Sequence, residues 1–223
     1  MGRRHSSLTA DAAFCYRQEA SKVDTVRFCS LCAAPVTVRI PDDDNRPRHV
    51  CSSCGQIHYV NPKVVVGCIP EYEDRILLCR RAIEPRHGLW TLPAGFLECA
   101  ETVEAGAARE TLEEAQAVVE VGELYTVLSI PHVDQVYMMF RSTLLRPEYG
   151  PGSESLEVEL FREQDIPWDK LAFGTIRRTL EYYFADRRRG SFALHVGTVT
   201  PPTTAPARGG AVQTTTPPKG RRD

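Results

Sequence analysis

No apolar run in the 223-residue chain approaches the roughly 18–20 residues that a spanning helix needs, so no membrane partner is expected. Charge of one sign is also lacking. The chain has 27 Lys and Arg against 29 Asp and Glu, a net charge of −2. That balance excludes a generally basic nucleic-acid binder and gives no reason to expect a polyacidic tail. No helix-turn-helix and no internal repeat is recognisable, and nucleic acid is not an expected partner. The first 26 residues lack the hydrophobic core of a secretory signal, which points to a cytoplasmic protein. Their Arg and Ser content would suit an organellar transit peptide, a reading weakened by Asp11, Glu19 and Asp24.

Eight cysteines are present, and four of them are patterned. Cys29-x-x-Cys32 and Cys51-x-x-Cys54 are separated by eighteen residues. Two such pairs are a zinc signature, each making a knuckle that presents two thiolates. Four sulfur ligands close the shell to water, so the expected Zn2+ site is structural. Some thirty residues cannot bury enough apolar surface to fold alone, and metal would supply the missing stability. The alternatives are two disulfides or unligated thiols, and without a signal peptide disulfides are disfavoured. Between the knuckles, Asp42, Asp43 and Asp44 face Arg46 and Arg48, which is not a phosphate-binding stripe. Packing or dimerisation is the expected role of this module.

The segments 1–26 and 198–223 carry no core-forming pattern, and the second is rich in Pro, Thr and Gly. Both are expected to be disordered. A ribbon over 27–60 and a larger domain over 61–197 lie between them. In the larger domain, 64–69 and 75–79 are β-rich runs joined by a hairpin turn at 71–74. Further strands are expected at 88–92, 118–121, 124–130, 136–145 and 156–161. Helices are expected at 101–115 and at 176–188, the second presenting Ile176, Leu180, Tyr183 and Phe184 on one face. Strands with two intervening helices imply an α/β fold, with a mixed sheet covered by helices.

The stretch from Gly95 to Glu123 holds eight Glu and one Arg in a nearly neutral chain. At about 100° per residue, Glu110 and Glu114 lie one turn apart on one helix face, with Glu113 to one side. Like charges so placed repel, which calls for something cationic. Carboxylates without nearby His favour Mg2+ or Mn2+ over zinc. The alternative is a solvated acidic face. Three features favour metal. Residues 92–95 form a turn leading into the cluster. Arg109 can clamp Glu101. Gly106, at a helix-propensity cost of about 1 kcal/mol, suggests a close backbone approach.

This stretch resembles the Nudix box, G-x5-E-x7-R-E-U-x-E-E-x-G-U, with U aliphatic. Gly95, Glu101, Arg109, Glu110, Glu113 and Glu114 match at the right spacing. Thr111, Gln116 and Ala117 depart, and Gln116 replaces a Gly that ends the helix in a left-handed turn. Residues 29–197 resemble zinc-ribbon Nudix hydrolases related to the plant chloroplast FAD and ADP-ribose pyrophosphatases. That resemblance implies an α/β/α sandwich around a mixed sheet, preceded by the ribbon, and often a homodimer. It implies hydrolysis of a nucleoside diphosphate linked to another moiety. Glu110 and Glu114 are then the principal Mg2+ or Mn2+ ligands, Glu113 shares a metal or orients water, and the Gly95 carbonyl is a further ligand. Glu98 contributes through water. Glu154 aligns with a late metal-binding Glu of the ribbon-bearing NADH pyrophosphatases and is the candidate base or extra ligand, with Glu157 the runner-up.

Arg81 could meet a phosphate or be an edge-strand charge. Trp90 could stack on a base or belong to the core. His132, in a loop after Pro131, is a lesser candidate. The NADH pyrophosphatases carry Ser-Gln-Pro-Trp-Pro-Phe where this chain has Ser129-Ile-Pro-His. The expected substrates are therefore FAD or ADP-ribose, giving AMP plus FMN or ribose 5-phosphate. NAD(H) is the alternative, as is a non-catalytic nucleotide-sensing regulator. Tyr125, Tyr137 and Phe140 are candidate liners of the substrate cleft.

Overall fold

The structure is a computed structural model and describes residues 26–200. The stretches expected to be disordered at 1–25 and 201–223 lie outside the described residues. Near the amino end, β1 (Val36–Arg39), β2 (Arg48–Cys51) and β3 (Ile57–His58) make a small antiparallel sheet. It brings the two cysteine pairs together.

The larger sheet comprises β4 (Lys63–Tyr72), β5 (Arg75–Arg81), β6 (Trp90–Thr91), β7 (Ala94–Phe96), β8 (Val119–Ile130), β9 (Gln135–Leu144), β10 (Ser155–Phe161) and β11 (His195–Thr198). Its path is β10-β5-β4-β9-β8-β11, with β6 on β5 and β7 on β4. β4 and β9 are parallel, as are β8 and β11, and the remaining pairings are antiparallel. The sheet is mixed, as expected.

Two α-helices, α1 (Val103–Ala115) and α2 (Gly174–Arg189), cover opposite faces. Alternation along the strands shows this directly. Val66 and Cys68 of β4 and Phe140 of β9 pack on Ala107 of α1. Ile69 of β4 and Met139 of β9 pack with Ile176, Leu180, Tyr183 and Phe184 of α2. The helix face read from the sequence is the one that is buried.

Several boundaries moved. The expected strands at 118–121 and 124–130 are one strand, β8, with register shifts on either side of Leu124. α1 starts at Val103 because Thr102 is extended and caps it, accepting from the Ala105 amide at 3.2 Å. The strand expected over 88–92 shrinks to β6, since Gly88 stands at φ 78 in the turn before it. β11 was not anticipated. It runs to Thr198, and the Val199 amide donates to the Ser129 carbonyl at 2.9 Å, so pairing continues past the expected start of the tail. Asp186 holds this end of the chain. It is fully buried and accepts from Tyr125 at 3.0 Å, pairs with His195 at 2.8 Å and also meets Arg189.

Candidate active site

Glu101 sits just before the Thr102 cap, outside α1, and so is free to face back along the chain. It accepts from the Glu98 amide at 2.7 Å and from Arg109 at 2.7 and 3.1 Å. Arg109 also donates to the Phe96 carbonyl at 3.1 Å. One guanidinium therefore fastens the turn after β7 to the middle of α1. It holds the Glu101 carboxyl near 2, chiefly by direct hydrogen bonding. Gly106 stands where the sequence suggested a close approach: a Cβ there would fall 2.8 Å from Glu101 Oε1 and 2.9 Å from Val66 Cγ2.

α1 ends at Gln116, which is left-handed at φ 49, and its amide returns to the Leu112 carbonyl at 2.9 Å. The turn normally given to glycine is kept. The Gln116 side chain then donates to the Pro151 carbonyl at 3.0 Å, bracing the loop that carries Glu154. The Gly152 amide reaches the Glu114 carbonyl at 3.0 Å.

These elements surround a cavity of about 710 Å3. Gly95, Glu98, Glu110, Glu113, Glu114, Glu154 and Arg81 all line it. Gly95 lies against Glu110 so closely that a Cβ would stand 2.3 Å from the carboxylate. Glu114 is 7% exposed and accepts from the Ala94 amide at 3.1 Å. Burial pushes its carboxyl up to about 8, against the pull of that amide, and Glu110 and Glu154 add to the rise. Burial raises Glu110 as well, against Arg109.

The three helix carboxylates do not close on one point. Arg109 bonds Glu110 at 2.8 Å and Glu113 at 3.0 Å, standing between them, and the Glu113 side chain is 58% exposed. Glu114 and Glu110, whose charged forms burial disfavours, form with the neighbouring carboxylates a donor set that a hard divalent cation relieves, so the residues present fit Mg2+ or Mn2+.

Other candidates fall elsewhere. Trp90 is a core residue, 8% exposed and edge-on to Phe161 at 4.9 Å, and it does not line the cavity. The even-numbered position on short β6 turns it inward beside Ile69 and Leu92. Tyr125 and Phe140 are likewise core. Glu157 points from β10 to Arg80 at 3.3 Å, away from the cavity. Tyr137 and His132 do line it. Sequence reasoning missed Phe173, Thr175, Gln135 and Val199, which reach the cavity through tertiary packing and carry no local signal.

In the ribbon, the four cysteine sulfurs all lie within 4.8 Å of one another. Cys29–Cys54 is 3.7 Å, and Cys32–Cys51 and Cys32–Cys54 are 3.5 Å. A tetrahedron with zinc–sulfur bonds of about 2.3 Å has edges of about 3.8 Å, so the set fits Zn2+. The amides of Leu31, Ser53 and Cys54 point at the sulfurs of Cys29 and Cys51 at 3.4 Å. Among the described residues this is the one group of three or more ligand atoms so tightly gathered.

The profile of the family described as NUDIX domain matches residues 61–181. The chain belongs to the Nudix hydrolase family. A second profile, described as Nudix N-terminal and named for its zinc ribbon, matches residues 27–60. The chain is similar to a Nudix hydrolase of known crystal structure from Nitrosomonas europaea, with 55% identity and a TM-score of 0.77 over 78% of this chain and 99% of that one. It is 36% identical over 119 residues to an ADP-ribose pyrophosphatase of Methanocaldococcus jannaschii, covering 52% of this chain and 69% of the relative. It is 30% identical over 174 residues to the NAD-capped RNA hydrolase NudC of Photobacterium profundum, covering 73% of this chain. It spans 59% of that relative's own length.

Proposed function

We propose that this Nudix protein hydrolyses the pyrophosphate bond of a nucleoside diphosphate linked to another moiety, most favourably ADP-ribose or FAD, releasing AMP and the second phosphate. The observation that carries the reading is Glu114, buried at the wall of a cavity it shares with Glu110, Glu113 and Glu154. Glu110 and Glu114, with the Gly95 carbonyl, would hold Mg2+ or Mn2+. A divalent cation there supplies neutralisation of phosphate oxygens and a lowered pKa for water. Glu113, the more exposed carboxylate, orients water or shares a cation once Arg109 yields it. Glu154 is the candidate base, facing Glu110 and Glu114 from the opposite loop. Glu98 acts through water. Arg81, close enough to Glu114 to lower its pKa, meets a phosphate oxygen.

The ribbon over 27–60, with Cys29, Cys32, Cys51 and Cys54 on one Zn2+, is structural in this reading. The larger domain over 61–197 carries the chemistry, and the working form is a cytoplasmic homodimer. The relatives named for NAD-capped RNA favour a second substrate, a NAD end with or without RNA attached. They also withdraw support from the expectation that nucleic acid is no partner.

The test is a panel of ADP-ribose, FAD, NADH and NAD-capped RNA with Mg2+ or Mn2+ and identification of products. AMP release that collapses in Glu114→Gln is expected. No turnover of any member, with nucleotide still bound, would make the protein a sensor instead.

A further inference from the structure

Helix α2 begins in the cavity wall, where Phe173, Gly174 and Thr175 line the space. The helix is 16 residues long, its cap residue Phe173 offers no side-chain acceptor, and its first turn holds no acidic residue. Its leading N–H groups and the positive end of its dipole are thus not compensated by its own cap or first turn. A second observation is independent of this. Thr175 is 2% exposed, and its hydroxyl has no hydrogen-bond partner among the described residues. A buried hydroxyl in that state calls for a ligand. One turn further on the same face, Thr179 is satisfied by Thr126 of β8 at 3.3 Å. Thr175 lines the cavity, whereas Thr179 bonds to the sheet.

Other donors gather on this wall. His132 lines the same cavity, and its Nδ1 is buried without a partner among the described residues. Val199 joins the two segments: its amide bonds Ser129, three residues before His132, and its side chain lies 3.4 Å from where a Gly174 Cβ would stand. The Arg81 guanidinium sits 5.2 Å from the centre of the Phe173 ring. Helix amides, a hydroxyl, an imidazole and a guanidinium are the donor set of an oxyanion. The carboxylates of α1 line the same cavity, so it is polarised.

We propose that the start of α2, with the Thr175 hydroxyl, is an oxyanion subsite for the substrate phosphoryl group that the carboxylate end does not hold. The proposal rests on the pyrophosphatase reading for its substrate, but not for its test. The full chain, without added divalent cation, is titrated calorimetrically with inorganic phosphate. Phosphate binds the wild type, Thr175→Val weakens it about 10-fold, and Thr175→Ser restores it, as expected for one charge-assisted hydrogen bond. In turnover, Thr175→Val raises KM for ADP-ribose more than it lowers kcat. Absent phosphate binding, or equal binding by the wild type and Thr175→Val, overturns the subsite. Occupancy by nicotinamide, an uncharged amide, in place of phosphate overturns it too. Phosphate binding without hydrolysis of any dinucleotide keeps the subsite and sinks the pyrophosphatase reading. Hydrolysis without Thr175-dependent phosphate binding does the reverse.

Discussion

Arg109 and Glu101 meet through two bonds of 2.7 and 3.1 Å, and the pair locks the turn after β7 onto the middle of α1. A lysine keeps the charge but not the planar fork that also reaches Phe96 and Glu110. Arg109→Lys is expected to lower kcat about 10- to 100-fold through misplacement of the carboxylates. Circular dichroism should show the fold retained, and an unchanged kcat would remove this pair from the site's architecture.

Gly95 offers a sharper version of the same argument. An added Cβ falls 2.3 Å from the Glu110 carboxylate. Gly95→Ala should cost activity on the order of 100-fold by displacing Glu110 or the β7 turn. Steady-state kinetics beside a melting curve separates this from unfolding.

Trp90 belongs to the core, so its variants should act on stability. Trp90→Ala is expected to cost roughly 3–5 kcal/mol. Trp90→Phe should leave KM for ADP-ribose unchanged. A KM effect in a stably folded Trp90→Phe protein would return this residue to the substrate cleft.

Asp186 sets an acid limit. Despite its burial, His195, Arg189 and Tyr125 hold its carboxyl near 2. The folded value lies below the unfolded one of about 3.9. Its contribution is therefore present above pH of about 4 and is lost as the pH falls through about 2. Asp186→Asn should flatten the acid side of the stability profile measured by urea unfolding, and an identical profile would refute the assignment.

The ribbon is expected to bind one zinc per chain, and Cys32→Ser should reduce zinc content with a fall in Tm. Fresh protein without zinc would leave its thiols unligated.

The helices, the mixed sheet, the cysteine cluster and the acidic end of the cavity were legible because each is written in spacing: C-x-x-C pairs, a 3.6-residue apolar face, glutamates one turn apart. Gln116 shows where spacing misleads, since the left-handed turn survives without glycine through the Leu112 and Pro151 carbonyls. The opposite wall was illegible. Thr175, Phe173 and Val199 come from segments that meet only after α2 packs and β11 pairs in parallel with β8. Trp90, left between stacking and the core by the sequence, is decided in favour of the core by the register of β6 on β5.

The parallel return of β11 has a practical corollary. It delivers Val199 to the wall of the same chamber that the α1 glutamates line, over eighty residues earlier in the chain. Trimming the chain back to Ala193 would remove Val199 from that wall as well as a sheet edge. A shortened version chosen for easier handling would then report on a different catalyst.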